Sequence, residues 1–232
     1  QKIISSDKFD FQEKYFGPHK LYTEITTPKQ NQSDTVIVFI GGAFDGSWIF
    51  RQYSKYLAEN GITVYSLNLR GFYKSKFYNV GSLNYEDYIA DIHTVISELN
   101  SKKIILAGYS IGGLLVQKYA EIYSNISALI LFDSDWSVEI SKAIGEIINV
   151  HQNTPRTMNF WPTRAIVEEM LGEKIDDITF QHTLDLFRQT YISGQAFRAI
   201  EIDRISVAAN KILCPVLLIC VTPENPAHLE MF

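Results

Sequence analysis

The strongest constraint on this chain is a series of short apolar runs of strand length, separated by amphipathic stretches of helical period. The runs are Thr35 to Ile40, Thr63 to Leu69, Lys103 to Ala107, Ala128 to Phe132 and Val216 to Val221. Most are unbroken rather than alternating apolar with polar, which suits strands covered on both faces, as in a parallel sheet. Three intervening segments read as helices. Trp48 to Asn60 is followed by Gly61, a residue suited to a helix C-terminus. Tyr85 to Leu99 sets Ile89, Ile92, Ile96 and Leu99 on one face, and Ile111 to Tyr123 does the same with Leu114, Leu115, Tyr119 and Ile122. Repeated strand–helix–strand units predict an α/β fold, a mostly parallel sheet flanked by helices. Ahead of them, Phe9 to Phe16 and Leu21 to Thr27 read as an edge hairpin.

The alternation stops between Ser134 and Ala209. Ile140 to Val150, Thr163 to Leu171 and Phe180 to Tyr191 have helical patterns, and the stretch carries Trp136, Phe160, Trp161 and Phe187. It reads as a helical insertion at 134–209 ahead of the strand Val216 to Val221, with 1–133 and 210–232 forming the core. Ordinary sheet-covering helices are the alternative.

Composition narrows the class of partner. With 232 residues, 46% hydrophobic and 20% charged, the chain is expected to fold around a sizeable core. A net charge of −5 argues against nucleic acid, and no apolar run approaches the ~18 residues of a membrane span. Cys214 and Cys220 lie along one predicted strand, too far apart for a disulfide, and read as reduced. That favours a cytoplasmic location, with a processed export signal ahead of Gln1 as the alternative. No Cys or His cluster has metal-ligand spacing and no glycine-rich loop suits a phosphate, so neither a metal nor another cofactor is expected. A small molecule is the expected partner.

The chemistry is carried by Gly108-Tyr109-Ser110-Ile111-Gly112, between the strand Lys103 to Ala107 and the helix from Ile111. This is G-x-S-x-G in strand–turn–helix context. A serine there sits on a sharp turn that exposes its hydroxyl, and its neighbours two positions away must be small because strand and helix backbones nearly touch. The first amides of the following helix face any negative charge that develops. Gly41-Gly42, at the end of the strand before Ala43, frees a backbone amide to point into the site. The amides of Ala43 and Ile111 are therefore the expected oxyanion hole.

With this elbow, the Gly41-Gly42 turn, the segment Asn68-Leu69-Arg70-Gly71-Phe72-Tyr73-Lys74-Ser75 and the strand Cys214-Pro215-Val216-Leu217-Leu218-Ile219, the chain resembles the α/β-hydrolase superfamily. The resemblance implies Ser110 as nucleophile, Ala43 and Ile111 as oxyanion donors, and the insertion as a cap. It implies an acid at Glu224, in the loop after the last strand, or at Asp133, after the strand Ala128 to Phe132, with Asp135 close by. The family's histidine has no counterpart. His19, His151, His182 and His228 are misplaced for it, and His93 is expected on the solvent side of its helix. The resemblance implies a further strand, a histidine-bearing loop and a helix beyond Phe232, so the chain is expected to be part of a longer protein.

These readings converge on a serine hydrolase. It would cleave a small ester, lactone or thioester with an apolar acyl or aromatic part, through an acyl-enzyme on Ser110. The resemblance leaves two alternatives, a cofactor-free dioxygenase and a non-catalytic ligand-binding homologue. Epoxide opening is less expected, because epoxide hydrolases usually carry aspartate where this chain has Ser110.

Overall fold

The computed structural model describes residues 5–42, 45–75, 82–100, 103–134, 163–171, 174–192 and 205–219. The described strands are β1 (Phe9–Phe16), β2 (Leu21–Pro28), β3 (Thr35–Ile40), β4 (Thr63–Leu67), β5 (Lys103–Tyr109), β6 (Ala128–Phe132) and β7 (Val216–Ile219). They form one sheet in the order β1-β2-β4-β3-β5-β6-β7. β2 runs antiparallel to both its neighbours and every other pairing is parallel. The expected α/β architecture is thus present, with a mostly parallel sheet. One detail differs: of the two hairpin strands, only β1 lies at an edge of the described sheet. β2 is paired on both sides, which explains why all but one of its residues are buried despite four polar side chains.

The helices are α1 (Arg51–Glu59), α2 (Tyr85–Ser97), α3 (Ile111–Ile122), α4 (Arg164–Leu171) and α5 (Asp177–Ile192). A 3-10 turn at Ser47–Phe50 precedes α1, so the apolar stretch from Trp48 is not one continuous helix. Gly61 follows α1 with φ 87°, the left-handed conformation that ends a helix without a Cβ penalty. α2 starts with a reciprocal cap in which Asn84 and Asp87 each accept from the other's backbone amide. In the stretch expected as an insertion, the described residues are helical at α4 and α5; Ile140 to Val150 lies outside the described residues.

The sheet buries a different cluster on each face. Val36, Val38, Ile40, Leu106 and Leu129 pack with residues of α2 and α3. Ile37, Phe39, Val64 and Ala107 pack with Phe50, whose ring stacks on Phe39 at 4.5 Å. His93 is half-buried between α2 and α3 rather than on the solvent side. Its ring stacks on Tyr123 at 4.2 Å and lies 3.2 Å from the Tyr119 hydroxyl. The expectation failed because both aromatic partners come from α3, which the pattern of α2 alone does not reveal. β7 is paired with β6 among the described residues, and its four side chains are 41–54% exposed. Among the described residues no helix is long and apolar enough to cross a membrane.

A polar junction fixes the chain where it leaves β4. The Asn68 side chain accepts from Ser47 N at 2.8 Å and donates to Tyr22 O at 3.0 Å. Ser75 Oγ donates to Asn68 O at 2.6 Å and accepts from Tyr22 N at 2.7 Å. Next to it, Arg70 forms a buried ion pair with Asp91 of α2. Its Nε lies 2.8 Å from Oδ1 and its backbone N 2.9 Å from Oδ2, and the Asp91 side chain is fully buried. Removing one partner of such a pair strands the other charge in the interior. Asp91→Ala is expected to lower the unfolding free energy by about 3 kcal/mol or more, measured by urea denaturation.

Candidate active site

The C-terminal ends of the central strands stand level. Ile40 of β3 is opposite Leu67 of β4 and Gly108 of β5, and Tyr109 is opposite Phe132 of β6. Ligands of open α/β sheets bind outside this edge, and Ser110 sits on it, between β5 and α3. Its φ of 51° and ψ of −124° lie in a region that costs a non-glycine residue of order 1–3 kcal/mol. The surrounding backbone holds it there: Ser110 N donates to Phe132 O at 3.0 Å, and Gly113 N donates to Ser110 O at 2.9 Å. The hydroxyl of buried Ser134, at the end of β6, lies 2.9 Å from Ser110 O and 2.7 Å from Phe132 O.

The glycines at the elbow are required by the close approach. A Cβ on Gly108 would lie 2.5 Å from both Gly112 O and Gly113 N. A Cβ on Gly112 would collide with the carbonyls of Ile40 and Gly41. The elbow and the Gly41-Gly42 turn are thereby pressed together, as the motif required. Ile111 opens α3, is 1% exposed, and lines the same recess as Gly41, Gly42, Asp45 and Asn68.

Asp133 follows β6 with φ 47°, its amide donating to Ile219 O at 2.8 Å. Its exposed side chain borders an apolar recess of about 110 Å³ lined also by Phe50, Tyr109, Phe132 and Ile219. Ser110, Ile111 and Asp133 therefore all lie at the same edge of the sheet. Ala43, Glu224 and Asp135 lie outside the described residues, as do His151 and His228. His19 and His182 are described, and neither lines either recess. Among the described residues no cluster of His, Cys, Asp and Glu could hold a metal ion.

Asp45 was not singled out in the sequence, although Gly42 three residues before it marks a turn. Its Oδ2 accepts from Gly42 N at 3.1 Å. A point one bond length off the Gly42 α carbon is 2.7 Å from Asp45 Oδ2, 3.2 Å from Tyr109 Cδ1 and 3.3 Å from Ser110 Cβ, so the carboxylate is within about 6 Å of Ser110 Cβ. Burial pushes the Asp45 carboxyl up to about 6, against the smaller downward pull of the Gly42 amide. Burial also raises the Tyr109 hydroxyl, helped by the charges of Asp45 and Asp133.

Two consequences can be measured. Gly108→Ala forces backbone apart at the elbow and is expected to cost roughly 1–3 kcal/mol, seen as a lower Tm. A raised carboxyl binds its proton more tightly in the folded than in the unfolded chain, so its charge opposes folding above pH 6 and not below the ordinary carboxylate range. Asp45→Asn is therefore expected to raise stability at pH 7 by about 1–3 kcal/mol. The gain should shrink as pH falls from about 6 towards 4, read by denaturation at each pH.

Comparison with known proteins places this geometry. A family model described as the alpha/beta hydrolase fold matches residues 35–165, more than half of the chain. Among solved structures, a laboratory-evolved variant of potato epoxide hydrolase is 16% identical, with a TM-score of 0.68 over 91% of this chain and 81% of that one. A carboxylesterase structure from the thaumarchaeon Nitrososphaera gargenis is 19% identical, with a TM-score of 0.61 over 90% and 79%. Epoxide hydrolase A from Mycobacterium thermoresistibile is 12% identical, with a TM-score of 0.64 over 91% of each chain. No curated protein matches the chain in sequence. At these identities the solved structures speak for the fold, and the family match shows that the chain belongs to the alpha/beta hydrolase fold family.

Proposed function

We propose that the protein is a serine hydrolase that cleaves a small ester, lactone or thioester through an acyl-enzyme on Ser110. The observation that supports this most is the positive φ of Ser110 at the β5–α3 turn. A strained backbone at a half-buried serine, held by hydrogen bonds to β6 and from α3, is consistent with a turn that presents the hydroxyl.

In this reading Ser110 Oγ attacks the carbonyl carbon, and the amides of Ala43 and Ile111 receive the charge that builds on the carbonyl oxygen. Asp133 or Glu224 orients a histidine that takes the serine proton and returns it to the leaving oxygen or sulfur. Water then attacks the acyl-enzyme and releases the acid. The recess bounded by Phe50, Tyr109, Phe132 and Ile219 supports an apolar acyl chain or a ring as the group bound beside Ser110. The aromatic-rich 134–209 stretch fits a cap over that group. The carboxylesterase neighbour is consistent with this chemistry, whereas the epoxide hydrolase neighbours share a fold whose elbow here carries serine.

The test is labelling by a fluorophosphonate, which reacts with an activated serine, together with hydrolysis of p-nitrophenyl esters of increasing chain length by the full-length protein. Wild type should label, and Ser110→Ala should lose the label and roughly 10³-fold or more of kcat. An unlabelled, inactive wild type that still binds small apolar ligands would point to a non-catalytic homologue. Oxygen-dependent turnover of a quinolone that survives Ser110→Ala would point to the dioxygenase chemistry.

A further inference from the structure

Asp45 occupies an expensive position. It is a half-buried carboxylate beside the nucleophile, and no cation offsets its charge among the described residues. The titratable group that feels it is the Tyr109 hydroxyl, on which Asp133 and Tyr53 also act. Its side chain does not fill a gap in the apolar core. It reaches back to the amide of Gly42 at 3.1 Å while its own amide lies 3.4 Å from Gly42 O, so the two residues close the loop on each other from both sides.

That loop starts in contact with the elbow. Gly41 O and Ile40 O meet the Gly112 α carbon, and the Gly42 α carbon faces Tyr109 and Ser110 Cβ. The loop then passes through Ala43. Ala43 carries the amide expected as an oxyanion donor.

We propose that Asp45 is a positioning residue for the reaction, clamping the Gly42 amide so that the Gly41-Gly42 turn, which leads into the expected oxyanion donor, is held against Tyr109 and Ser110. The inference rests on the serine-hydrolase reading. The clamp is strongest when Asp45 is ionised, because a charge-assisted bond from an amide is roughly twice as strong as a neutral one. Its carboxyl titrates at about 6, so the clamp slackens across the pH range just below neutrality. A donor displaced by a few tenths of an ångström still permits substrate binding but meets the oxyanion poorly, so the defect falls on kcat.

The experiment compares Asp45→Ala and Asp45→Asn in the full-length protein. Asp45→Ala removes the acceptor and should lower kcat at pH 7.5 by about tenfold or more with KM within about twofold. Asp45→Asn keeps a neutral acceptor of the same shape and should restore part of that loss, to about a third of the wild-type kcat. The ratio of kcat for Asp45→Asn to wild type cancels the titration of the catalytic base, and should rise at least about threefold between pH 7.5 and pH 5. Amide hydrogen exchange at Gly42 should accelerate about tenfold or more in Asp45→Ala and little in Asp45→Asn.

A kcat for Asp45→Ala within twofold of wild type, a ratio flat with pH, or unchanged Gly42 exchange would each overturn the proposal. A wild type that fails to label with fluorophosphonate overturns the hydrolase reading instead, and the exchange measurement then decides the clamp by itself.

Discussion

The contact on which the site depends is between backbones. At the turn from β5 to α3, strand and helix approach so closely that Gly108 meets the Gly112 carbonyl and the Gly113 amide. Gly112 in turn meets the carbonyls at the end of β3. No side chain fits in either place. This approach forces Ser110 into a positive φ, puts the first amides of α3 at the mouth of the sheet, and locks the Gly41-Gly42 loop against the elbow. A wider separation would relieve Ser110 and remove the reason for its exposure. The strain is held by neighbours that have other duties. β6 supplies the carbonyl that accepts from Ser110 N, and Ser134, one residue beyond Asp133, bridges the carbonyls of Phe132 and Ser110.

A second layer of polar contacts holds the rim on the β4 side. The Asn68 side chain ties the turn before α1 to β2, and Ser75 closes the loop after β4 back on Asn68 and on β2. Arg70 carries that loop's anchor into α2 through Asp91. These buried polar groups satisfy one another almost completely, as a low-dielectric interior requires. Their common effect is to fix the turn before α1 and the loop after β4 against β2. These ties run from the β2–β4 junction towards the elbow, with the Asp45–Gly42 bond the one nearest Ser110.

Much of this was legible in the sequence because it follows from local rules. The strand runs, the period of α2 and α3, the glycine after α1 and the elbow all depend on residues within a few positions of each other. The convergence of Ser110, Ile111 and Asp133 on one edge follows as well, because parallel strands of matched length end together. What was not legible depends on partners distant in sequence. Arg70 and Asp91 stand 21 residues apart, and neither residue type reveals the other as its partner. His93 looked solvent-facing because its cover, Tyr119 and Tyr123, comes from α3. Asp45 reads locally as an ordinary turn residue after Gly42, and only the closeness of the elbow gives it a place beside Ser110. The 3-10 turn before α1 is a subtler case. Trp48 to Asn60 has helical composition throughout, but Asn68 takes the Ser47 amide and sets how the chain enters the helix.

The electrostatics of the site follow from what surrounds Ser110. Asp45 and Asp133 both bear on Tyr109, so the side chains described at the mouth bring negative charge to a place where a hydrolase must stabilise more of it. The compensation is available from the backbone. The N-terminus of α3 carries a partial positive charge within its first turn, and its leading residue, Ile111, is buried, so water screens it little. The Asp45 carboxylate spends its charge on the Gly42 amide, whose N–H donates to it at 3.1 Å. The destabilising burial of Asp45 and the strained φ of Ser110 both sit around the elbow, where folding stability is given up locally, as is common where a chain fixes side chains for function.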